Sequence, residues 1–149
     1  MAISTKLKQM IGKATRPVIF EIEKGQLRRF AAAINEDNPI HSNEKAAAAA
    51  GFVSIVAPPT FPAALHDLDD LFEEIGLDTR STMHAEEEYE YFRPICAGDV
   101  ISVVHRIVNA YDKQAPNGRL IFVVIETRGT DKRSRPVFKG RRVMVELKS

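Results

Sequence analysis

The sequence predicts an α+β protein in which an antiparallel sheet of about five strands wraps around a long central helix. Two observations support this class: the first half has apolar residues at helical spacing, and the second half alternates with a period of two. A third observation is the set of short polar turns in the second half, which are typical of consecutive antiparallel strands. A sheet of this kind that follows one long apolar helix is expected to curl around that helix.

The first half contains a predicted strand and two predicted helices. Residues 16–22 form a short apolar strand candidate. Residues 23–34 are predicted to form an amphipathic helix, because apolar residues recur at i, i+3, i+4 and i+7, namely Leu27, Phe30, Ala31 and Ile34. A second, short helix is predicted to follow the N-cap residue Asn43 and to end at Gly51.

The long central helix is predicted to start at Thr60, with Pro62 in its first turn, and to end at Gly76. Its opposite face is acidic and is expected to be solvated. A wide apolar stripe is typical of a helix buried against a sheet. The stripe consists of Phe61, Ala64, Leu65, Leu68, Leu71, Phe72 and Ile75.

Four strands are predicted in the second half, because side chains alternate between apolar and polar over each of them. The last three are joined by short turns and are predicted to form an antiparallel meander. The predicted strands are Met83 to Phe92, Val100 to Asn109, Arg119 to Thr127 and Val137 to Leu147.

Composition excludes several classes of function. A chain of 149 residues is long enough for one domain with a hydrophobic core, and we expect a single domain over residues 1–149. A formal net charge of +1 gives no general attraction to nucleic acid or to a membrane. The single cysteine, Cys96, rules out an intrachain disulfide and favours a cytoplasmic location. No Cys and His residues have the spacing of a metal site, so no metal is expected.

The segment from residue 34 to residue 41 holds the side chains best suited to acid–base chemistry. Glu36 and His41 are five residues apart, and Asn38-Pro39 between them restricts the backbone. A rigid turn that carries a carboxylate and an imidazole suits proton transfer near neutral pH. Taken alone, an Asn-Pro turn between polar residues is more often structural than catalytic.

Several ordered motifs resemble the MaoC-like dehydratases, a family with the hot-dog fold that includes the (R)-specific enoyl-CoA hydratases. Residues 35–41, Asn-Glu-Asp-Asn-Pro-Ile-His, resemble the family pattern Gly-Asp-x-Asn-Pro-Ile-His. Residues 57–61, Ala-Pro-Pro-Thr-Phe, are similar to the N-terminal-type subgroup. Residues 92–99, Phe-Arg-Pro-Ile-Cys-Ala-Gly-Asp, also fit the family in order and spacing. The resemblance extends from about Pro17 to the end of the chain.

The resemblance implies a hydratase or dehydratase that adds or removes water across the double bond of a 2-enoyl thioester. It implies that His41 is the base and that Glu36 is its carboxylate partner on one shared water. Asn38 would support the loop, and the N–H groups of Thr60 and Phe61 would polarise the thioester oxygen. Coenzyme A or an acyl carrier protein would be part of the substrate, and no further cofactor is implied.

Two departures from the family pattern leave an alternative open. Glu36 replaces the usual aspartate, and Pro59, which has no N–H, lies near the position where active hydratases often have glycine. The alternative is a non-catalytic acyl-binding subunit of a heteromeric dehydratase. The expected sheet has uncovered edges, which predict a homodimer or a higher homo-oligomer, with a hydratase partner subunit as a further option.

The remaining charged side chains are given ordinary structural interpretations beside functional ones. His66 is expected to be solvated, and His84 and His105 are expected to be structural residues on strands. A basic cluster near the last turn either binds coenzyme A phosphates or an acidic carrier protein, or is an exposed charged hairpin. A nucleic-acid module is disfavoured by the near-neutral net charge. The cluster consists of Lys132, Arg133, Arg135, Lys139, Arg141 and Arg142.

Overall fold

The computed structural model describes residues 3–148, so residues 1, 2 and 149 of the predicted domain lie outside the described part. Helices occupy the first half and strands the second, as the sequence predicts. Two 3-10 turns lie at Pro39–His41 and Phe61–Ala64. The α-helices are α1 (Thr5–Met10), α2 (Lys24–Ala33), α3 (Glu44–Ala49) and α4 (Asp69–Ile75), and the strands are β1 (Val18–Glu21), β2 (Thr82–Tyr91), β3 (Val100–Ala115), β4 (Gly118–Thr130) and β5 (Pro136–Lys148).

All five strands belong to one antiparallel sheet with the order β1-β3-β4-β5-β2. The strands β3, β4 and β5 are sequential neighbours, which confirms the predicted meander. The strand β3 is longer than predicted, because its pairing with β4 continues as far as Ala115 opposite Gly118. The α+β class with about five antiparallel strands is confirmed.

Side-chain caps define the short helices. Asn43 accepts a hydrogen bond from the N–H of Ala46 and so starts α3, as predicted. The residue after this helix region, Gly51, has a φ of 91°, a conformation that glycine adopts without strain. The N-terminal segment forms α1, and the side chain of its N-cap residue Ser4 accepts a hydrogen bond from the N–H of Leu7. Among residues 3–148, no helix has both the length and the apolar character needed to cross a bilayer.

The predicted long central helix is not continuous, and this part of the prediction is corrected. The chain forms the 3-10 turn at 61–64, leaves helical geometry at Leu65 (φ −93°, ψ 66°), and resumes as α4. Six of the seven residues in the predicted apolar stripe are nevertheless buried, including Leu65 and Leu68, which flank the break, whereas Ala64 is exposed. Periodicity therefore identified the large buried side chains of this segment, although tertiary packing overrides its helical preference.

The break in the helix coincides with a division of the hydrophobic core. Leu65 packs in one cluster with Leu27 and Phe138, whereas Leu68 packs in the other with Ile107. Three polar residues on the same face of the sheet lie between the two clusters. They are His105, Thr127 and Arg142, and each is buried.

One of these polar residues contacts the interrupted segment. The Nδ1 atom of His105 lies 2.8 Å from the hydroxyl of Thr127. Arg142 pairs with the carboxylate of Glu87 on β2, at 3.0 Å between Nε and Oε2. The same guanidinium donates to the carbonyl oxygen of Ala63, at 3.5 Å. A regular helix would direct that carbonyl along its own axis, so the open turn satisfies a buried donor instead.

Replacement of Gly129 by alanine is expected to destabilise the fold. A Cβ atom at Gly129 would overlap the ring of Phe138, which is fully buried in the core. We expect Gly129→Ala to lower the free energy of unfolding by about 1–3 kcal/mol in urea denaturation, as is typical of overpacking. The matched control is Gly25→Ala in α2, where the added methyl meets only the end of the flexible Arg29 side chain. This control is expected to raise stability by about 0.5–1 kcal/mol. A Gly129→Ala variant as stable as the parent protein would contradict the close packing of Gly129 against Phe138.

Burial of His105 predicts a loss of stability in mild acid. Burial, together with the neighbouring Arg142, lowers the pKa of His105 to about 4, below its ordinary value of about 6.5. The unfolded chain therefore binds the extra proton first, and stability falls as the pH drops from about 6.5 towards 4. Between pH 7 and pH 5 this group is expected to contribute a loss of about 2 kcal/mol.

Urea denaturation at the two pH values tests this expectation. The His105→Gln variant should lose less stability between pH 7 and pH 5 than the parent protein, whatever its stability at pH 7. Identical pH dependence in the parent and in His105→Gln would count against a neutral, buried His105.

Candidate active site

The loop after α2 is shaped by its own side chains. Asn35 adopts a positive φ of 54°, which asparagine tolerates better than most residues. The side chain of Asn38 then accepts a hydrogen bond from the N–H of Ile40, at 3.2 Å. This cap and Pro39 at the first position start the 3-10 turn that carries His41. The Asn-Pro sequence thus holds the loop rigid, as the sequence predicts.

His41 is buried, and one of its ring nitrogens is bound to the main chain. Its side chain is 6% exposed, and Nδ1 lies 2.7 Å from the carbonyl oxygen of Val56. A carbonyl oxygen only accepts hydrogen bonds, so Nδ1 carries the proton and Nε2 holds the free lone pair. This fixed tautomer presents Nε2 as a base.

Glu36 lies half-buried at the start of the same loop. Its Oε1 atom accepts a hydrogen bond from the N–H of Asn38, at 3.0 Å. The carboxylate is therefore held against the loop by one oxygen, and its second oxygen is left for another donor.

Glu36 and His41 line the same open cleft of about 620 Å³. Asn38 lies there too, so the structure brings together three of the five predicted site residues. A cavity of about 730 Å³ between the N-terminal segment and α4 is larger but has no histidine in its lining. The other residues around the 620 Å³ cleft are Ile40, Val56, Ala57, Pro59, Tyr91, Phe92, Arg93, Pro94 and Ile95.

The remaining two predicted residues, Thr60 and Phe61, are not part of this lining. Phe61 is fully buried in the core, and its N–H already donates to the carbonyl oxygen of Pro58, at 2.9 Å. The N–H of Thr60, by contrast, has no hydrogen-bond acceptor within residues 3–148. A four-residue 3-10 turn also has a smaller dipole than the long helix that was expected there.

One wall of the cleft comes from the end of β2 and the segment that follows it. Tyr91 donates from its hydroxyl to the carbonyl oxygen of Pro59, at 2.5 Å, and burial raises its pKa. This bond fixes the turn in which Pro59 and Thr60 lie. Sequence reasoning did not identify Tyr91 or Arg93 as site residues, because alternation with glutamates on a strand predicts an ordinary half-exposed tyrosine.

The segment after β2 is held by the ion pair between Arg93 and Asp99. The guanidinium contacts both carboxylate oxygens, at 2.8 and 3.2 Å, and the carboxylate also accepts from the N–H of Cys96. Cys96 itself is buried, and burial raises the pKa of its thiol. A neutral, buried thiol is a poor nucleophile, which agrees with a structural role for this residue.

The predicted basic cluster does not form one surface. Arg142 is buried with Glu87, whereas Arg141 pairs with Glu86 and Lys139 lies 3.6 Å from Glu126. Arg135 pairs with Asp131. The exposed members Lys132 and Arg133 line a cavity of about 220 Å³ that also includes Arg93. Because Arg93 lines both cavities, this small basic surface adjoins the candidate active site.

Comparison with known families agrees with this architecture. Residues 9–140 match the family model described as FAS1-like, dehydratase domain region. The chain belongs to this dehydratase-region family. A curated relative, a UPF0336 protein of Saccharopolyspora erythraea, is 36% identical over 104 residues, which are 66% of this chain and 67% of the relative.

Solved structures of dehydratases and hydratases share the fold of this FAS1-like dehydratase-region protein. A MaoC-like dehydratase superposes with a TM-score of 0.82 at 22% identity, over 96% of this chain and 44% of the other. The HadBC (3R-hydroxyacyl-ACP dehydratase) complex of Mycobacterium tuberculosis gives 0.78 at 23% identity, over 91% and 96%. The R-hydratase PhaJ1 of Pseudomonas aeruginosa gives 0.65 at 20% identity, over 93% and 83%. The resemblance to MaoC-like dehydratases and the hot-dog fold are thereby confirmed.

Removal of the Asp99 carboxylate is expected to loosen the wall of the cleft. Asp99→Ala removes the carboxylate that accepts from the N–H of Cys96 and from Arg93, which keeps only its bond to the Pro94 carbonyl. We therefore expect a loss of about 1–3 kcal/mol in the free energy of unfolding. The control is Arg80→Ala, which breaks a solvent-exposed pair with Asp78 and should have no measurable effect. Equal stability of the two variants in urea denaturation would show that the Arg93–Asp99 pair does not hold this segment.

Proposed function

We propose that this protein is a hydratase or dehydratase that adds or removes water across the double bond of a 2-enoyl thioester. The observation that carries the proposal is the fixed tautomer of His41, whose Nε2 is available in the cleft that also contains Glu36. Membership of a dehydratase-region family supports the reaction class. The acyl group, its length and its carrier are part of the proposal.

In the direction of hydration, His41 and Glu36 act on one water molecule. Nε2 of His41 removes a proton while the water oxygen bonds to the β-carbon of the enoyl group, and negative charge moves to the thioester oxygen. The free oxygen of Glu36 accepts the second hydrogen of the water and orients it. The imidazolium then returns its proton to the α-carbon. Dehydration follows the same steps in reverse.

The developing charge on the thioester oxygen requires a hydrogen-bond donor. Pro59 has no N–H and the N–H of Phe61 is occupied, so the proposed donor is the N–H of Thr60. Donors of this kind stabilise such transition states by about 3 kcal/mol each. Tyr91 supports this arrangement, because its bond to the Pro59 carbonyl fixes the orientation of the turn.

The carrier of the acyl group is proposed to bind beside the cleft. The adjoining small cavity is lined by the ion pairs Arg93–Asp99 and Arg135–Asp131 and by Lys132 and Arg133, and the last two provide its net positive charge. Phosphate groups of coenzyme A, or the acidic surface of an acyl carrier protein, would be attracted there.

No cofactor is proposed beyond this carrier, and the uncovered sheet edge is proposed to be covered by a second hot-dog chain. A cytoplasmic location is proposed from the single cysteine.

A second candidate function is a non-catalytic acyl-binding subunit of a heteromeric dehydratase. The observation in its favour is the scarcity of donors near Pro59, together with the bond that ties Glu36 to its own loop. One structural neighbour, HadBC, is described as a dehydratase complex. In this alternative, the cleft holds the acyl chain and a partner performs the proton transfers.

Hydration of crotonyl-CoA by the purified chain tests the first function. Loss of enoyl absorbance should follow addition of the protein, and His41→Ala and Glu36→Gln should each lower kcat/KM by about 100-fold or more. His66→Ala is the control, because this exposed histidine does not line the cleft and its variant should keep the parent rate. All variants are compared after their circular dichroism spectra have been shown to match.

The turnover assay and a binding measurement by calorimetry together separate the two functions. Binding of acyl-CoA in calorimetry without turnover would favour the acyl-binding subunit. Neither turnover nor binding, over enoyl-CoA substrates from short to long chains, would overturn both proposals. Turnover that persists unchanged in His41→Ala would exclude the assigned base.

A further inference from the structure

A second cavity, of about 450 Å³, lies at the other end of the strands from the cleft around His41, and the two share no lining residue. Along β5, Glu146 in this cavity is about eight residues from Phe138, which pairs with the cleft residue Tyr91, so about 27 Å of strand separates the two sites. Cavities of about 300–1,000 Å³ are typical of small-molecule sites. The lining consists of Ser4, Leu7, Ile75, Gly76, Leu77, Arg119, Ile121, Glu146 and Lys148.

The wall of this cavity is mainly apolar. Leu7 comes from α1, Ile75 from α4 and Ile121 from β4, and all three are buried members of one core cluster. Leu77, just after α4, belongs to the same cluster. The cavity therefore lies where two helices meet the sheet, and its apolar wall suits a molecule with a hydrocarbon body.

One polar group in this wall lacks a partner. Glu146 is 2% exposed, and its Oε1 atom accepts a hydrogen bond from the N–H of Asp78, at 3.0 Å. Its Oε2 atom is buried and accepts no hydrogen bond from any group within residues 3–148. A buried carboxylate oxygen without a donor is costly, so such atoms are normally satisfied by a neighbouring group, a water or a ligand. A donor group on a molecule in the cavity would satisfy this oxygen.

The charges around the cavity are already balanced. The Nζ atom of Lys148 lies 3.5 Å from Oε2 of Glu146, which is close enough for an ion pair although it makes no hydrogen bond. Arg119, on the neighbouring strand, pairs with Asp112 at 2.6 Å. A charged ligand would either lack a counter-charge or displace one of these ion pairs, whereas an uncharged donor meets neither cost.

We propose that this cavity binds an uncharged, apolar alcohol whose hydroxyl donates to Oε2 of Glu146. The hydrocarbon part of the ligand packs against Leu7, Ile75 and Ile121. The hydroxyl oxygen keeps its lone pairs and accepts from the ammonium of Lys148. This site is separate from the cleft and does not rest on the proposed hydratase function.

Two isomeric probes test the proposal with the full chain. Hexanol donates a hydrogen bond and methyl pentyl ether does not, although both contain the same atoms. In NMR titrations of the isotope-labelled protein, hexanol should shift the amide signals of Leu7, Leu77 and Ile121. It should bind about tenfold more tightly than the ether, because a hydrogen bond to a charged group that contributes about 1.4 kcal/mol gives that factor. The signals of His41 and Tyr91 report any binding in the cleft.

Glu146→Gln tests the acceptor itself. The amide can keep its oxygen on the N–H of Asp78, and it then presents an NH₂ donor in place of Oε2. We expect the preference for hexanol over the ether to fall below about threefold in this variant. The matched control is Glu126→Gln on β4, outside the cavity lining, which should keep the preference of the parent protein.

Three results would overturn the inference. Equal affinity of the parent for hexanol and the ether would show that the carboxylate needs no donor from a ligand. Shifts confined to the cleft, or no shifts with either probe, would show that the cavity binds no such molecule. Tighter binding of hexylammonium than of hexanol would exclude an uncharged ligand. If circular dichroism shows that Glu146→Gln does not fold, the two probes in the parent decide. No enoyl thioester is present, so this proposal and the hydratase proposal can fail separately.

Discussion

The candidate site depends on the hydrogen-bonded junction between His41 and Val56. The ring of His41 donates to the carbonyl of Val56, and the N–H of Val56 donates to the carbonyl of Ile40, at 3.1 Å. Val56 also forms a bridge with Cys96, so three distant segments meet at one residue. The junction sets the tautomer of the imidazole and joins the acid–base loop to two walls of the cleft. The hydrogen bonds of Val56 therefore both hold the loop in place and fix which ring nitrogen of His41 carries the proton.

The interior of the protein beside the sheet has apolar regions and one polar region. Apolar clusters fill both ends, while His105, Thr127 and Arg142 occupy the region between them. Burial of a guanidinium requires a carboxylate and further acceptors, which Glu87 and the carbonyl of Ala63 supply. The 3-10 turn that follows Thr60 supplies the carbonyl of Ala63, and the chain leaves helical geometry directly after it, at Leu65.

The edge strand β2 contributes both to the interior of the protein and to the candidate cleft. Glu87 on β2 binds the buried Arg142, Tyr91 holds the Pro59 turn, and Glu86, Glu88 and Glu90 face solvent. Side chains that alternate along one strand thus serve the interior on one face and contact solvent on the other.

The sequence by itself determined the features that local physics controls. The helix around Leu27, the Asn43 cap, the strand alternation and the Asn38-Pro39 turn follow from periodicity, capping and restricted dihedral angles, and the buried stripe from Phe61 to Ile75 follows from apolar spacing. Only the tertiary structure decided the tautomer of His41, the occupied N–H of Phe61, the role of Tyr91 and the break after Leu65. Apart from the local bond of Phe61 to Pro58, each of these depends on a partner outside its own turn of backbone, such as Val56 for His41 or Arg142 for Ala63. Nothing in local spacing specifies which distant group arrives.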